Sequence, residues 1–147
     1  MSVHESAESF VKAFNAGDYD TVASHLSNDF QFSGPVPEPI SGQQWIGLTR
    51  LLRAAFPDIQ YNMRVVSVEG DVVTTTNQLT GTHTGDLDLS AMGMGVIPAT
   101  GKSFSNPEET GQGTVKGGKF VSIRITPVDG GGLMGILSQL GVKQPAG

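Results

Sequence analysis

The sequence predicts an α+β fold in which a cone-like, curved antiparallel β-sheet wraps around N-terminal helices. Three observations predict it. Apolar residues recur at helical spacing as far as Phe56, the period changes to two from Ile59 onward, and turn signals at Gly70-Asp71 and Gly117-Gly118 join successive strands. Such a sheet must bury its apolar face, and the helices are what the chain has to cover it. With 147 residues, the chain is read as a single domain spanning 1–147.

Each element has a local cause. Ser2 and Glu5 form a capping-box pattern ahead of Val3, Ala7, Phe10, Val11 and Phe14, a helical face that ends at Gly17. Asp18 can cap a second short helix carrying Tyr19, Val22, Ala23 and Leu26, and Phe30-Gln31-Phe32 then alternates as a brief strand stopped by Gly34-Pro35. Ser41 and Gln44 start a third helix with Trp45, Leu48, Leu51, Leu52, Ala55 and Phe56, closed by Pro57. Ile59, Tyr61, Met63 and Val65 alternate with polar residues, and Gly70-Asp71 turns this strand into a Thr-rich one from Val72 to His83. A Gly- and Met-rich loop, 84–102, precedes a strand from Ser103 to Val115, which Gly117-Gly118 turns into Phe120–Thr126. The triple glycine 130–132 reads as a hinge, and Leu133–Leu140 as a short helix. The expected core comprises Phe10, Phe14, Trp45, Leu48, Leu52 and Leu79.

Composition removes several functions. A net charge of −5 without a dense basic stretch argues against nucleic-acid binding, which needs Lys and Arg to displace counterions. Zero cysteines exclude disulfides, thiolate metal sites and a cysteine nucleophile. No apolar run approaches the about 18 residues of a membrane span, and Met1-Ser2-Val3-His4-Glu5 lacks a basic leader region, so a soluble, cytoplasmic protein is expected. Thr100-Gly101-Lys102-Ser103 is not a phosphate loop, because the first glycine falls at Gly95 where the motif needs it at Val96. His4, His25 and His83 share no ligand spacing, so no metal site is expected. Glu108 and Glu109 are adjacent on a strand and point to opposite faces, so only one of them can face inward.

Counting by twos places Val73, Thr75, Asn77, Leu79, Gly81 and His83 on one strand face. If it faces the helices, Asn77 and His83 reach into an apolar cavity; alternatively His83 is a hydrogen-bonded rim residue. Met92 and Met94 either cover an apolar ligand or pack within their own loop.

Taken in order, several segments resemble the SnoaL-like polyketide cyclase family, within the nuclear-transport-factor-2-like superfamily that includes ketosteroid isomerases. They are Phe14-Asn15-Ala16-Gly17-Asp18-Tyr19-Asp20, Leu26-Ser27-Asn28-Asp29-Phe30-Gln31-Phe32, Ala55-Phe56-Pro57-Asp58 and Thr80-Gly81-Thr82-His83-Thr84-Gly85. Ile97-Pro98-Ala99-Thr100-Gly101-Lys102, Gly118-Lys119-Phe120-Val121 and Ser138-Gln139-Leu140-Gly141 carry the resemblance to the C-terminus. It implies a curved sheet around an apolar pocket, dimerisation through the outer sheet face, and ring closure by an intramolecular aldol reaction without any metal or organic cofactor. That chemistry needs a base for an acidified C–H and a donor for the enolate. The family's Trp-Asp pair falls at Arg124 and Ile125, its His or Asp on the preceding strand at Gly111, and a second acidic position at Asp129.

The expected function is therefore to bind a small apolar or aromatic carbonyl compound in a pocket, as a divergent polyketide cyclase. The pocket is expected to be lined by Phe14, Phe32, Trp45, Tyr61, Asn77, Val121, Ile123 and Ile125, with Met92 and Met94 at its mouth. The alternatives are an active cyclase or isomerase with His83 or Glu109 as a relocated base, and a protein-interaction module using the outer sheet face. A homodimer is expected through that face, which carries Thr74, Thr76, Gln78, Thr80, Thr82, Ser122, Arg124 and Thr126.

Overall fold

The computed structural model describes residues 2–34, 38–90, 93 and 95–141. Helix α1 (Val3–Ala16) opens on the Ser2/Glu5 capping box and ends at Gly17, whose φ of 74° breaks the helix. Asp18 caps α2 (Tyr19–Ser24), and Ser41 with Gln44 forms the box that opens α3 (Gly42–Ala55). The strands are β1 (Leu26–Ser33), β2 (Ile40–Ser41), β3 (Arg64–Glu69), β4 (Val72–Asn77), β5 (Thr80–Thr82), β6 (Leu87–Asp88), β7 (Val96–Ile97), β8 (Ser103–Ser105), β9 (Glu109–Lys116) and β10 (Lys119–Ile125). Helix α4 (Gly132–Gln139) follows.

Six strands make the main sheet in the order β2-β1-β10-β9-β4-β3, and two small ladders pair β5 with β8 and β6 with β7. The fold is thus α+β, with a curved, mainly antiparallel sheet. One pair departs from the expected all-antiparallel pattern: β1 runs parallel to β10, with Leu26 opposite Phe120 and Ser33 opposite Arg124. The hairpin turn at Gly117-Gly118 has φ of 60° and 79°, the left-handed pair that matches strand twist in a two-residue loop.

Other expectations are corrected by local chemistry. The residues 59–63 alternate in burial as a strand would, yet the ladder starts only at Arg64, because Asn62 sits at φ 49° and donates its amide to Gln78 O at 2.8 Å. The Thr-rich run splits at 78–79 into β4 and β5, and the stretch from Ser103 splits at Asn106-Pro107-Glu108 into β8 and β9. The loop 84–102 carries the β6/β7 ladder. Val121 was expected to share an inward face with Ile123 and Ile125, but a bulge between Phe120 and Ser122 leaves it half-buried. Phe120, Ile123 and Ile125 are the buried set. Leu48 and Leu79 are only partly buried against the core, while Ile46 and Thr49 take the buried positions of α3.

The helices bring an aromatic stack onto the sheet. The Trp45 ring lies 5.3 Å from Phe14, 4.9 Å from Phe32 and 5.6 Å from Phe30, and Phe10 lies 4.6 Å from Phe120. Two glycines on the inner face of β9 make room for the rings and branches opposite. A Cβ at Gly113 would lie 2.5 Å from Phe120 Cε1, and one at Gly111 would lie 2.6 Å from Ile125 Cδ1.

Candidate active site

Gly111 and Ile125 are direct cross-strand partners on the inner face, so the two positions at which the resemblance expects an acid and a base face each other. Here they make an apolar contact, with the Ile125 δ-methyl filling the space a side chain at 111 would need. The next inward residue along β9 is Glu109, and its partner on β4 is Asn77. Both are buried, at 3% and 7% exposure, and Glu109 Oε2 and Asn77 Oδ1 have no hydrogen-bond partner. A carboxylate this desolvated resists ionisation: burial raises the Glu109 pKa above the ordinary carboxylate value. The Gly132 N–H donating to Oε1 at 3.4 Å partly opposes that shift.

Glu109 borders a cavity of about 140 Å³, whose other walls are Pro127, Val128, Gly131, Gly132, Leu133 and Met134. The wall is apolar apart from the carboxyl group and backbone. Helix α4 forms its roof, and Gly131 at the helix start has no side chain to bond the first-turn amides. Three polar ties dock α4 on the β8–β9 junction. Asn106 donates to Gly132 O at 3.1 Å and accepts from Gln139 at 2.9 Å, and Gln139 Oε1 accepts the Ser105 N–H at 2.8 Å.

The remaining expected residues lie elsewhere. His83 is fully buried at the base of the 84–102 excursion, where its Nδ1 accepts the Thr100 N–H at 3.2 Å and lies 3.0 Å from the Thr100 hydroxyl. That leaves the proton of the neutral ring on Nε2, which has no partner, and burial lowers the pKa of the imidazole. Its ring packs 5.2 Å from Phe56, and none of these partners is shared with Asn77 or Glu109. Phe14, Phe32, Trp45, Ile123 and Ile125 are buried in the core, and none of them lines the Glu109 cavity. Tyr61 packs its ring 4.5 Å from Phe14, its hydroxyl has no hydrogen bond, and burial together with the nearby Tyr19 raises its pKa. Met92 and Met94 lie outside the described residues. The grouping of Glu109 with the aromatic residues is therefore corrected: the aromatic side chains spend their area on one another.

Sequence reasoning missed the α4 residues, since the tail read as a hinge. The usable signal was Leu133-Met134 directly after the glycines, a pair of apolar side chains with no strand or helix nearby in sequence to cover. Among the described residues no group of three or more His, Cys, Asp and Glu is placed to hold a metal ion, and no helix is long and apolar enough to cross a membrane.

A curved sheet closed by helices, with a buried carboxyl group at one end, defines a class of small α+β proteins built around an inner face. Within that class the chain belongs to the SnoaL-like domain family, whose model matches residues 7–123. It is similar to IdmH, a candidate polyketide cyclase from Streptomyces antibioticus, with 23% identity and a TM-score of 0.70 over 97% of this chain and 100% of that one. It is also similar to AclR, a candidate hydroxylase from Streptomyces galilaeus, with 25% identity and a TM-score of 0.72 over 99% and 83%. A third similar structure is a candidate SnoaL-like polyketide cyclase from Jannaschia sp. CCS1, with 18% identity and a TM-score of 0.73 over 97% and 93%. No curated protein sequence matches the chain significantly.

Proposed function

We propose that this protein binds a small, largely apolar carbonyl compound and acts as a divergent cyclase in which Glu109 is the base. The observation that carries the reading is the buried Glu109 carboxyl group, with one oxygen unpartnered, on the border of an otherwise apolar cavity. The ionised carboxylate takes a proton from the carbon beside the substrate carbonyl, leaving an enolate. The enolate carbon then attacks a second carbonyl of the same molecule, and the resulting alkoxide takes the proton back from Glu109, so the residue ends as it began. The first-turn amides of α4 present the positive end of the helix to the cavity and suit the enolate oxygen. His83 is the weaker base, because the ring nitrogen with a lone pair already receives the Thr100 N–H.

The similarity of the fold to candidate polyketide cyclases supports the reaction class. The test is deuterium exchange at the acidic carbon of an aromatic β-keto compound. Exchange well above background in wild type, reduced by about 100-fold or more in Glu109→Gln and unchanged in His83→Ala, is the expected result. The rate should rise with pH through a pKa above the usual carboxylate range and then level off. Undiminished exchange in Glu109→Gln, or background exchange in wild type, rejects the base.

A further inference from the structure

The Glu109 cavity has a size as well as a chemistry. Its volume is about 140 Å³, close to the about 150 Å³ apolar cavity that holds one benzene molecule. Its floor is the Glu109 carboxyl group, and its roof is the start of α4, with Leu133 half-buried against the core and Met134 at the outer edge, 45% exposed. The roof is tight over the acid. A Cβ on Gly131 would lie 3.1 Å from Glu109 Cδ and 3.2 Å from Oε2, although the backbone at Gly131, with φ −92°, accepts any residue. The roof is also held in place, since Asn106 and Gln139 tie both ends of α4 to the sheet.

We infer that α4 acts as a size gate, so that the reacting end of the substrate is a single ring or an acyclic β-dicarbonyl unit of similar bulk, with Leu133 and Gly131 as the specificity-determining residues. This rests on the Glu109 cavity being the substrate site proposed above. A fused polycyclic system exceeds the enclosed volume and would have to displace Leu133, and with it the ties that dock the helix. A single ring leaves those ties intact and places its neighbouring C–H against the carboxyl group.

The experiment compares benzoylacetone with its naphthoyl and anthracenoyl homologues, measuring both calorimetric binding and deuterium exchange, in wild type, Leu133→Ala and Gly131→Ala. Thermal melts verify that each variant is folded. Wild type should bind benzoylacetone at least about tenfold more tightly than the anthracenoyl homologue. Leu133→Ala, by enlarging the roof, should shrink that ratio to within about threefold, and Gly131→Ala, by crowding the acid, should weaken benzoylacetone itself. Equal binding of all three homologues by wild type, an unchanged ratio in Leu133→Ala, or no binding of any homologue overturns the gate. Binding that follows the size order while exchange stays at background leaves the gate standing and rejects Glu109 as the base, so the two failures are distinguishable.

Discussion

Glu109 is held in a position that favours its neutral form, and this couples catalysis to stability. Its folded-state pKa is raised, so between the ordinary carboxylate value and the raised one the folded protein binds more protons than the unfolded chain. Folding stability from this residue is complete at acid pH and is lost as pH climbs through the folded pKa. Glu109→Gln should therefore be more stable than wild type at neutral pH, with the difference vanishing near pH 4, as read by denaturant titration at both pH values. A variant that is less stable at neutral pH would mean that the ionised carboxylate has a partner compensating its burial. The same residue shows what a sequence can reveal. Alternation along its strand places Glu109 and Asn77 inward, because strand periodicity needs no knowledge of the partner. That Asn77 stands opposite Glu109, and that Ile125 fills the place of the expected acid, depends on strand register, which the alternation leaves undetermined.

At the scale of elements, α4 is the piece whose placement depends least on its own sequence. It is eight residues long with no side-chain cap, too short to be stable alone, so its helicity derives from docking. Asn106, 1% exposed, supplies two of the ties. Replacing it with Ala leaves buried polar groups unpaired, which costs about 1–3 kcal/mol. Amide exchange over 132–139 should then accelerate while exchange in α1 and α3 stays slow; uniform acceleration would mean that Asn106 supports the whole fold. Helices α1 and α3 were legible because a capping box, an apolar face and a terminator all lie within one stretch of chain. The strand breaks at Asn62 and at Asn106-Pro107-Glu108 were not, because each is set by a side chain bonding a residue far along the sequence: Asn62 to Gln78, and Asn106 to Gly132 and Gln139. The partial exposure of Leu48 has a similar cause. Helical spacing identifies an apolar face, while the angle at which α3 meets the sheet decides which residues lie at its centre, and here Trp45, Ile46 and Leu52 do.

For the whole molecule, the sheet's outer face is the surface on which association depends. Thr76, Gln112, Arg124 and their neighbours present short or extended polar side chains away from the helices, and Val66 and Val72 add exposed apolar area, at 53% and 39%, beside them. A flat strip of this kind suits sheet-on-sheet packing at about 10 Å separation. Light scattering at micromolar concentration should give the mass of a dimer, and Val72→Lys should shift it toward the monomer; a monomeric wild type removes the expectation.

The parallel pairing of β1 with β10 also sets an order of events during synthesis. Leu26 leaves the ribosome long before Phe120, and at about 5–20 residues per second the delay is roughly 5–20 s. During that interval Phe30 and Phe32 belong to a strand whose edge toward β10 is open, and the Trp45 stack has no sheet to close against. An open strand edge beside exposed aromatic residues is a template for pairing with another chain. Nascent chains halted before Lys119 should therefore need a holding chaperone, whereas chains released beyond Ile125 can protect themselves.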